Sequence, residues 1–590
     1  MFHEDKNNEK NYSLKENLKK SLKYAKKRKK EFLLYFIGNL FLCIIGGIAP
    51  LVSAKQLLFL TDGILGKFLW ISIFVFSIEI TRNFSGYLTR KYSQIFAREV
   101  LKDIQIDMAK EVLRIETADL DKKSSGVIIN RLTNDTSKIA DIFLELNWSI
   151  TDVITNTGIL FAIFVINKYI FLFYLLSIFL IFFLERKRIN IRNEMDKKYR
   201  KTAEKTTGLA GELVRGVRDI KVLNAGKSFL KNINEKITLL NEQRYQMIRT
   251  NRSFRLLIDC IRDILDLALI VIFIYMIKID MITISSVVII YMYRGRVFNL
   301  LSYFSDMLDY IKDFNLSAGR VFEVIDSDEF RKESFGTGKI EKVKGDFEFK
   351  DVHFGYEDKQ EVLKGISFKI KHNSTVSFVG KSGAGKSTIF SLLAKMYHAK
   401  SGEILIDGKN IDTLDEDSIR GNISIITQNP YIFNMTIREN LEIVKDGLTE
   451  DEMIKACKLA CLHDFIMSLP DGYDTMVGEG GLTLSGGQKQ RLAIARAMVQ
   501  KTEIILFDEA TSALDNETQQ SIQEAINNMK NKYTILIIAH RLSTVINSDE
   551  IMLIEDGKVT CAGSHEELLK SSKDYKQLYN LELKKNKTTS

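Results

Sequence analysis

The chain has 590 residues, 45% of them hydrophobic, and a formal net charge of +9 at pH 7. A chain of this length is expected to form several domains, and its five scattered cysteines provide neither a disulfide framework nor a paired metal or redox motif. Basic residues cluster at the ends of long apolar runs, which favours a membrane surface over nucleic acid as the partner of this charge.

Residues 1–30 form a basic segment that contains eleven Lys or Arg and four Asp or Glu. Leu14, Leu18, Leu22 and Ala25 recur at helical spacing, so we expect a basic amphipathic helix on the inner leaflet of a membrane. For the first dozen residues, a solvated tail is an equally good interpretation. The segment is too polar to be a cleaved signal peptide.

Six apolar segments follow, and each is long enough to cross about 30 Å of hydrocarbon as a helix. They lie near residues 32–60, 64–96, 139–167, 169–190, 252–277 and 282–305. The connections at 97–138 and 191–251 are long and rich in Lys and Arg, so the positive-inside rule predicts that they and both termini are cytoplasmic. Pro50 follows Gly46 and Gly47 and is expected to kink the first helix.

Both long connections have a helical pattern, so the membrane helices are expected to continue into the cytoplasm. Short breaks at 117–126 and 224–227 are places where a transverse helix could dock on a second domain. A polar linker is expected at 315–344. We therefore divide the chain into an N-terminal segment, a helical membrane domain, a linker and an α/β domain, with bounds 1–30, 31–314, 315–344 and 345–590.

The sequence GKSGAGKST, residues 380–388, matches the loop that binds nucleotide phosphates. A β-branched run precedes it and a helical pattern follows it, as this loop requires. Its glycines allow the backbone N–H groups to point inward, toward an anion. Lys386 is expected to pair with the β- and γ-phosphates and Ser387 to contact Mg²⁺.

Two further motifs in the second half of the chain carry chemistry. The strand EIILFDEA ends in Asp508, which can hold Mg²⁺ through water, and Glu509, which can polarise an attacking water. Upstream, LTLSGGQKQRLAIARAM places Ser485 at the N-terminus of a long helix, where it forms a second cradle for an anion. One nucleotide does not need two such cradles.

In this order, the phosphate loop, LSGGQ, FDEATSALD and IIAHRLST resemble the nucleotide-binding domain of ATP-binding cassette proteins, and the six apolar segments resemble the exporter-type membrane domain. The resemblance spans roughly residues 12–585. It implies an all-α membrane domain of six helices, followed by a cytoplasmic α/β P-loop ATPase domain with an antiparallel β subdomain. ATP and Mg²⁺ are the implied cofactors.

The resemblance also implies roles for individual residues of the nucleotide site. Tyr356 would stack on adenine, and Asp515 would contact the dimer partner. Phosphates and metal would be held by Gly380, Lys381, Ser382, Gly383, Ala384, Gly385, Lys386, Ser387 and Thr388. A further set resembles the family's signature segment, which caps the γ-phosphate of the ATP bound to the opposite subunit. This set consists of Ser485, Gly486, Gly487 and Gln488.

Three residues are implied in catalysis. Glu509 would be the catalytic base, His540 would contact the γ-phosphate, and Gln428 would reach both Mg²⁺ and the attacking water. The metal ligands would be Ser387, Gln428 and Asp508.

Other segments show where the resemblance holds and where it departs. The two long connections resemble the family's transmission loops, with Gly126, Arg131, Leu132 and Asp135 in the first and Glu212, Gly216 and Lys221 in the second. Before the signature, the family usually has Gly-Glu-Arg-Gly, whereas GEGG here keeps Glu479 and lacks the arginine. This departure leaves one cross-domain contact in doubt.

Several charges fall inside the apolar segments, where they are costly and normally avoid lipid. They are Glu79, Arg82, Asp152, Asp259, Arg262, Asp263, Asp266, Arg294 and Arg296. On the fifth helix, Arg255, Asp259, Arg262 and Asp266 form one stripe, which either neutralises itself through pairs four residues apart or lines a path for cargo. A polar cavity would favour a peptide-like or charged amphipathic cargo.

These observations predict an ATP-driven half-transporter that exports its cargo by alternating access, in a homodimer or a heterodimer with a related chain. Lipid flipping, import through the same architecture, and a regulatory or channel-like role remain alternatives, and the intact Glu509 favours turnover. The high Lys, Ile and Asn content indicates a bacterial source and hence the plasma membrane.

Overall fold

The computed structural model describes residues 13–120, 125–326, 330–356, 360–478, 481–508, 516–538 and 545–588. It divides into two compact units. A helical unit comprises residues 1–113 and 125–329, and an α/β unit comprises residues 114–124 and 330–590. The predicted fold class, a helical membrane domain followed by a nucleotide-binding α/β domain, is confirmed.

The helical unit consists of long helices and of short ones that connect them. They are α1 (Leu14–Lys27), α2 (Lys29–Thr61), α3 (Leu65–Val112), α5 (Ser125–Asn130), α6 (Thr136–Ile166), α7 (Lys168–Arg215), α8 (Val217–Val222), α9 (Gly226–Lys278) and α10 (Ile284–Asp326), while α4 (Thr117–Leu120) belongs to the α/β unit. A π-helical turn, Arg131–Asp135, joins α5 to α6. The six predicted apolar segments lie in α2, α3, α6, α7, α9 and α10, and α3, α7 and α9 extend well beyond them.

Within the described residues, three helices are long and apolar enough to cross a membrane by length and composition alone: Lys29–Leu60, Gly126–Ile166 and Lys168–Arg215. The helices α3, α9 and α10 are less apolar because they carry charges such as Glu79 and Arg294. The core between α6, α7, α9 and α10 contains buried Tyr174 and Phe298. Large apolar side chains on the outer faces are exposed, as expected for helices that face hydrocarbon.

The α/β unit contains two main sheets. An antiparallel sheet has the order β2-β1-β4-β5, and a mostly parallel sheet has the order β12-β11-β3-β10-β9-β6. The strands are β1 (Phe347–Phe354), β2 (Leu363–Ile370), β3 (Thr375–Val379), β4 (Ser401–Ile406), β5 (Lys409–Asn410), β6 (Ile423–Ile426), β7 (Met435–Thr436), β8 (Met476–Val477), β9 (Ile504–Asp508), β10 (Thr534–Ile538), β11 (Glu550–Glu555) and β12 (Lys558–Gly563). The short strands β7 and β8 pair with each other.

Nine further helices are described in the α/β unit, some of them packed on the parallel sheet. They are α11 (Lys386–Leu393), α12 (Glu416–Arg420), α13 (Ile437–Glu442), α14 (Glu450–Leu459), α15 (His463–Met467), α16 (Gly486–Gln500), α17 (Asn516–Met529), α18 (His565–Ser571) and α19 (Lys573–Thr588). All residues of β3 and β10 are buried, as expected for central parallel strands with both faces covered. The carboxyl ends of β3 and β9 therefore lie at the same edge of the sheet, and the phosphate loop leaves from this edge.

The stretch predicted as a linker has two structured parts. Its first part continues α10 to Asp326, and residues 330–344 pack within the α/β unit, where Phe330 and Val343 are buried. The backbone N–H of Gly336 donates to Leu414, and a Cβ at Gly336 would lie 2.1 Å from the backbone of Thr413. Apolar side chains hold this segment on the α/β unit.

The first break between the long helices also belongs to the α/β unit. Ile115 forms a β-bridge with Lys332, and the N–H of Glu116 donates to the carbonyl of Arg331 at 2.9 Å. The guanidinium of Arg331 donates to the carboxylate of Asp119, with 3.0 Å between Nη2 and Oδ1. Residues 114–120 are thus fastened to the first residues of the 330–344 segment.

Candidate nucleotide site

The phosphate loop turns sharply between β3 and α11. Gly380, Gly383 and Gly385 have φ of 154°, 82° and 101°, all in the region that favours glycine. A Cβ at Gly380 would lie 2.1 Å from the carbonyl oxygen of Ile554, whereas a Cβ at Gly383 would meet nothing within 4 Å. Gly380 therefore allows close packing at the base of the loop, and Gly383 faces open space.

Lys386 is the first residue of α11 and is only 5% exposed. Its Nζ donates to the backbone oxygens of Gly380 and Lys381, both at 2.9 Å. These carbonyls are neutral acceptors, so a phosphate oxygen would form a stronger, charge-assisted bond with the same ammonium group. The loop thus holds a buried cation ready for an anion.

Ser387 and Asp508 come together although 121 residues separate them. The Ser387 hydroxyl donates to Oδ1 of Asp508 at 3.1 Å. Within the described part of the chain, no three His, Cys, Asp or Glu side chains form a cluster suited to a metal. The hydroxyl and carboxylate are hard oxygen ligands of the kind that Mg²⁺ prefers, and phosphate and water would supply the rest.

Tyr356 follows β1 and lies beside the phosphate loop. Its hydroxyl is 3.2 Å from the hydroxyl of Thr388, and its ring packs edge-on against Phe354 and Tyr397. The tyrosine and the loop together line a cavity of about 280 Å³. Its lining consists of Tyr356, Val362, Ser382, Gly383, Gly385, Lys386, Ser387 and Thr388.

The LSGGQ segment caps α16. The N–H of Gln488 donates to the Ser485 hydroxyl at 3.3 Å, and the N–H of Ser485 donates to the side-chain oxygen of Gln488 at 2.8 Å. This reciprocal cap fixes the first turn of the helix. Ser485 and Gly486 are exposed, while Gly487 is buried, and none of these residues lines the cavity at the phosphate loop.

Gln428 follows β6, the strand next to β9. Gln428 is exposed. Its backbone carbonyl accepts a 3.0 Å hydrogen bond from the side-chain amide of Gln490 in α16. Gln428 therefore lies at the carboxyl end of β6, beside the end of β9 that carries Asp508. The hydrogen bond from α16 fixes its backbone.

Four residues singled out from the sequence, Glu479, Glu509, Asp515 and His540, lie outside the described residues. Asp508, which precedes Glu509, pairs with Ile538 of β10. The described ends of β9 and β10 therefore lie side by side.

A second cavity of about 510 Å³ was not expected from the sequence. It shares Lys381, Ser382 and Gly383 with the phosphate loop and is bounded on its other side by Glu555, Asp556 and Gly557. The turn at Asp556 and Gly557 has positive φ angles of 50° and 80°. The Glu-Asp-Gly sequence after an apolar strand signalled this turn but not the cavity, which depends on the packing of β2 against β12.

The predicted residues of the first transmission loop are held inside the helical unit. Asp135 is 1% exposed and pairs with Arg320 of α10 at 2.6 Å. Arg131 pairs with Glu323 of α10 at 2.9 Å. These two ion pairs fix the π-helical turn to α10.

The second predicted transmission segment behaves differently. The N–H of Gly216 donates to the carbonyl of Glu212 at 2.8 Å, which closes α7, and Lys221 lies on the exposed surface of α8.

The charged stripe of α9 consists of Arg255, Asp259, Arg262 and Asp266. The described ion pairs do not follow the four-residue spacing of the self-neutralising interpretation, which was one of two left open. Arg262 lies 3.7 Å from Asp259, three residues earlier, while Asp266 pairs with Arg294 of α10 at 3.2 Å. Arg262 also donates to Asn299 of α10. Arg262 therefore has partners on both α9 and α10, whereas Asp266 is paired with α10.

Comparison with known proteins gives a consistent result over both units. Residues 363–512 match the sequence profile of ABC transporters, and residues 32–301 match that of the ABC transporter transmembrane region. A multidrug export ATP-binding/permease protein of Staphylococcus aureus is 32% identical over 521 residues, covering 87% of this chain and 89% of that protein.

Two other similarities extend over nearly the whole chain. An ATP-dependent lipid A-core flippase of Saccharophagus degradans is 31% identical over 577 residues, covering 96% of this chain and 97% of that protein. Among solved structures, a bacterial Atm1-family ABC exporter with ATP bound has a TM-score of 0.79 and 25% identity, covering 92% of this chain and 97% of the other.

Proposed function

This chain belongs to the ABC transporter family as a half-transporter of the exporter type, and on that premise we propose how its residues drive export. It is a multi-pass membrane ATPase that couples ATP hydrolysis to transport. The observation that carries the residue assignments is the contact between Ser387 and Asp508, because it joins the phosphate loop to the acidic end of β9.

We propose that ATP binds in the cavity between Tyr356 and the phosphate loop. Tyr356 would stack on adenine, and the loop from Gly380 to Thr388 would surround the phosphates with its N–H groups and Lys386. The open space at Gly383 and the buried ammonium of Lys386 support this placement.

Mg²⁺ fits beside Ser387, Asp508 and Gln428, which offer oxygen ligands at one edge of the sheet. When bound, the ion would neutralise charge that develops on the phosphate oxygens. Glu509 would orient and deprotonate the attacking water, and His540 would contact the γ-phosphate. Because the described site holds Ser387 to Asp508 directly, binding of the ion would replace that hydrogen bond.

The second half of each ATP site would come from a partner subunit. Ser485 and Gly486 are exposed at the N-terminus of α16 and do not line the chain's own cavity, so they are available to cap the γ-phosphate of a nucleotide on another subunit. Asp515 would lie at the same interface. Since the chain has both Glu509 and LSGGQ, a homodimer would have two competent sites, and we favour it over a heterodimer.

The cargo proposed here is an amphipathic or peptide-like molecule. The name of the Staphylococcus aureus relative, a multidrug export protein, supports a drug-like cargo. The charged side chains within the apolar helices support a cargo that carries polar or charged groups. Lipid flipping is the second candidate, favoured by the lipid A-core flippase that matches 96% of this chain.

We place the protein in a bacterial plasma membrane with both termini and the α/β unit in the cytoplasm. The charge of α1 supports this orientation, since Lys15, Lys19, Lys23, Lys26 and Lys27 are exposed and would face anionic lipid headgroups. The domain bounds 1–30, 31–314, 315–344 and 345–590 remain our proposal for the functional division.

ATPase measurements in lipid test this function. The purified chain is compared with Glu509→Gln, alone and with peptides, amphipathic drugs and lipid A-type lipids. If hydrolysis by the unmodified chain is lost in Glu509→Gln, Glu509 is the base. If one class of compound increases hydrolysis by the unmodified chain, that class contains the cargo. If the chain binds ATP but never hydrolyses it alone, a heterodimeric partner or a regulatory role replaces the homodimeric exporter.

A further inference from the structure

The helix α2 passes through the sequence Gly-Gly-Ile-Ala-Pro, residues 46–50. Proline has no amide N–H, so the carbonyl of Gly46, four residues earlier, lacks the donor that an unbroken helix would provide. Hydrocarbon offers no water to replace this donor, and the two glycines lower the local preference for helix further. The segment 46–50 is therefore the weakest part of α2.

Two side chains of α10 bind this weak segment. Nη1 of Arg296 donates to the carbonyl oxygen of Gly46 at 2.9 Å, and the hydroxyl of Tyr293 donates to the carbonyl oxygen of Gly47 at 2.5 Å. Tyr293 thus binds the carbonyl next to that of Gly46, and Arg296 supplies the donor that Pro50 lacks.

Arg296 differs from the neighbouring arginines of the membrane helices. Arg262 and Arg294 form ion pairs with Asp259 and Asp266. Among the described residues, no carboxylate forms an ion pair with Arg296. Asp152 of α6 lies near enough to interact with it electrostatically.

Helix α6 also contacts α2 one turn before the weak segment. The side chains of Cys43 and Thr155 lie 2.8 Å apart, and Thr155 is one turn after Asp152. The weak segment therefore lies between the donor Arg296 of α10 and the helix α6, which carries Asp152.

We propose that residues 46–50 form a joint at which α2 bends during transport, and that Arg296 and Tyr293 are positioning residues that hold this joint closed. When the joint opens, the guanidinium of Arg296 exchanges the carbonyl of Gly46 for the carboxylate of Asp152. The exchange keeps the charge partnered in a region where an isolated charge is very costly. This inference rests on the export function proposed above.

A double-mutant cycle tests the joint in the full-length protein in nanodiscs. Pro50→Ala restores the N–H that Gly46 needs, so Arg296 should become dispensable in that background. We expect Arg296→Gln alone to reduce cargo-stimulated ATP turnover about fivefold to tenfold, and to change it less than about twofold when added to Pro50→Ala. The KM for ATP should stay constant in all four proteins, and Arg296→Lys should retain part of the activity.

Arg294→Gln is the matched control, because it breaks a true ion pair two residues away and Pro50→Ala should not rescue it. An equal loss from Arg296→Gln in both backgrounds, or no loss in either, would overturn the proposal. The thermal unfolding midpoint of the same proteins should show the same rescue. Because that midpoint requires no transport, a failure of the joint can be distinguished from a failure of the export function.

Discussion

Ser387 in the first turn of α11 donates a hydrogen bond of 3.1 Å to Asp508 at the end of β9. The contact closes the phosphate loop against the acid that we assign to the metal. A serine and an aspartate in this position can exchange their mutual hydrogen bond for a shared cation without moving far. Ser387 and Asp508, two of the three residues that we propose as metal ligands, are therefore held together by a direct contact.

Removal of either ligand should abolish hydrolysis. We expect Ser387→Ala and Asp508→Asn to lower the rate by about 100-fold or more, because charge on the phosphates would no longer be neutralised. Ser391→Ala is the control, since the Ser391 hydroxyl lies on the same helix and donates only to the backbone oxygen of Ser387. Phosphate release over a range of Mg²⁺ concentrations provides the measurement, and a wild-type rate in either ligand variant would contradict the assignment.

Tyr356 should contribute to affinity through its ring rather than its hydroxyl. Tyr356→Phe loses only the 3.2 Å contact with Thr388 and should change the affinity for ATP little. Tyr356→Ala should weaken binding about tenfold to 100-fold, the range that base stacking on an aromatic ring supports. Titration with a fluorescent ATP analogue compares the two variants, and equal losses in both would exclude stacking.

The local features of the site could be predicted because they depend on short sequence patterns. The glycines of residues 380–388 specify a turn that only glycine adopts easily, and the apolar segments specify long helices by their length alone. Ser485 and Gln488 form the cap that their spacing in LSGGQ predicts. In each case, the interacting groups are close in sequence.

Contacts between distant segments could not be predicted in the same way. The spacing of the α9 stripe left pairing along its own helix as one of two interpretations, but it gave no sign that Asp266 would pair with Arg294 of α10. Likewise, Asp119 and Arg331 are 212 residues apart, and no periodicity connects them. Such pairs become visible only when the order and rotation of the elements are known.

One of these distant pairs should be important for stability. Arg420 forms two short hydrogen bonds with Glu333, at 2.6 and 2.7 Å, and its guanidinium lies over the ring of Phe335. We expect Arg420→Ala to destabilise the α/β unit by about 1–3 kcal/mol, because Glu333 would remain half-buried without its cation. Chemical denaturation of the full chain, followed by fluorescence, measures this loss.

Arg438→Ala provides the comparison, because it removes an ion pair with Asp474, whose side chain is 66% exposed. Surface pairs of this kind contribute about 0–1 kcal/mol. If both variants lose the same stability, the position of the 330–344 segment on the α/β unit does not depend on Arg420.

Cys457 should resist alkylation while the protein is folded. It is fully buried in the core of the α/β unit, and burial raises the pKa of its thiol to about 11. Only the thiolate reacts, so about one molecule in 1,000 is reactive at pH 8, and the fraction should rise tenfold with each pH unit up to the pKa. Mass spectrometry after a short iodoacetamide pulse should find Cys457 modified only when denaturant is added, and rapid native labelling would contradict its placement.

The arrangement of the two ATP sites can be tested with mixed dimers. Lys386→Ala disables the phosphate loop, and Ser485→Arg blocks the signature with a bulky cation, so each homodimer should be inactive. If each site combines the phosphate loop of one subunit with the signature of the other, a dimer of one Lys386→Ala chain and one Ser485→Arg chain keeps one complete site. If each site lies within one subunit, the same dimer has none.

We expect the mixed dimer, purified through two different affinity tags, to retain measurable ATP hydrolysis. The exposed position of Ser485 and its absence from the cavity at the phosphate loop favour this outcome. A dimer in which one chain carries both substitutions and the other carries neither is the control, because the shared arrangement leaves it without a complete site while the separate arrangement leaves one. Reversed activities of these two dimers would place both halves of each site in the same subunit.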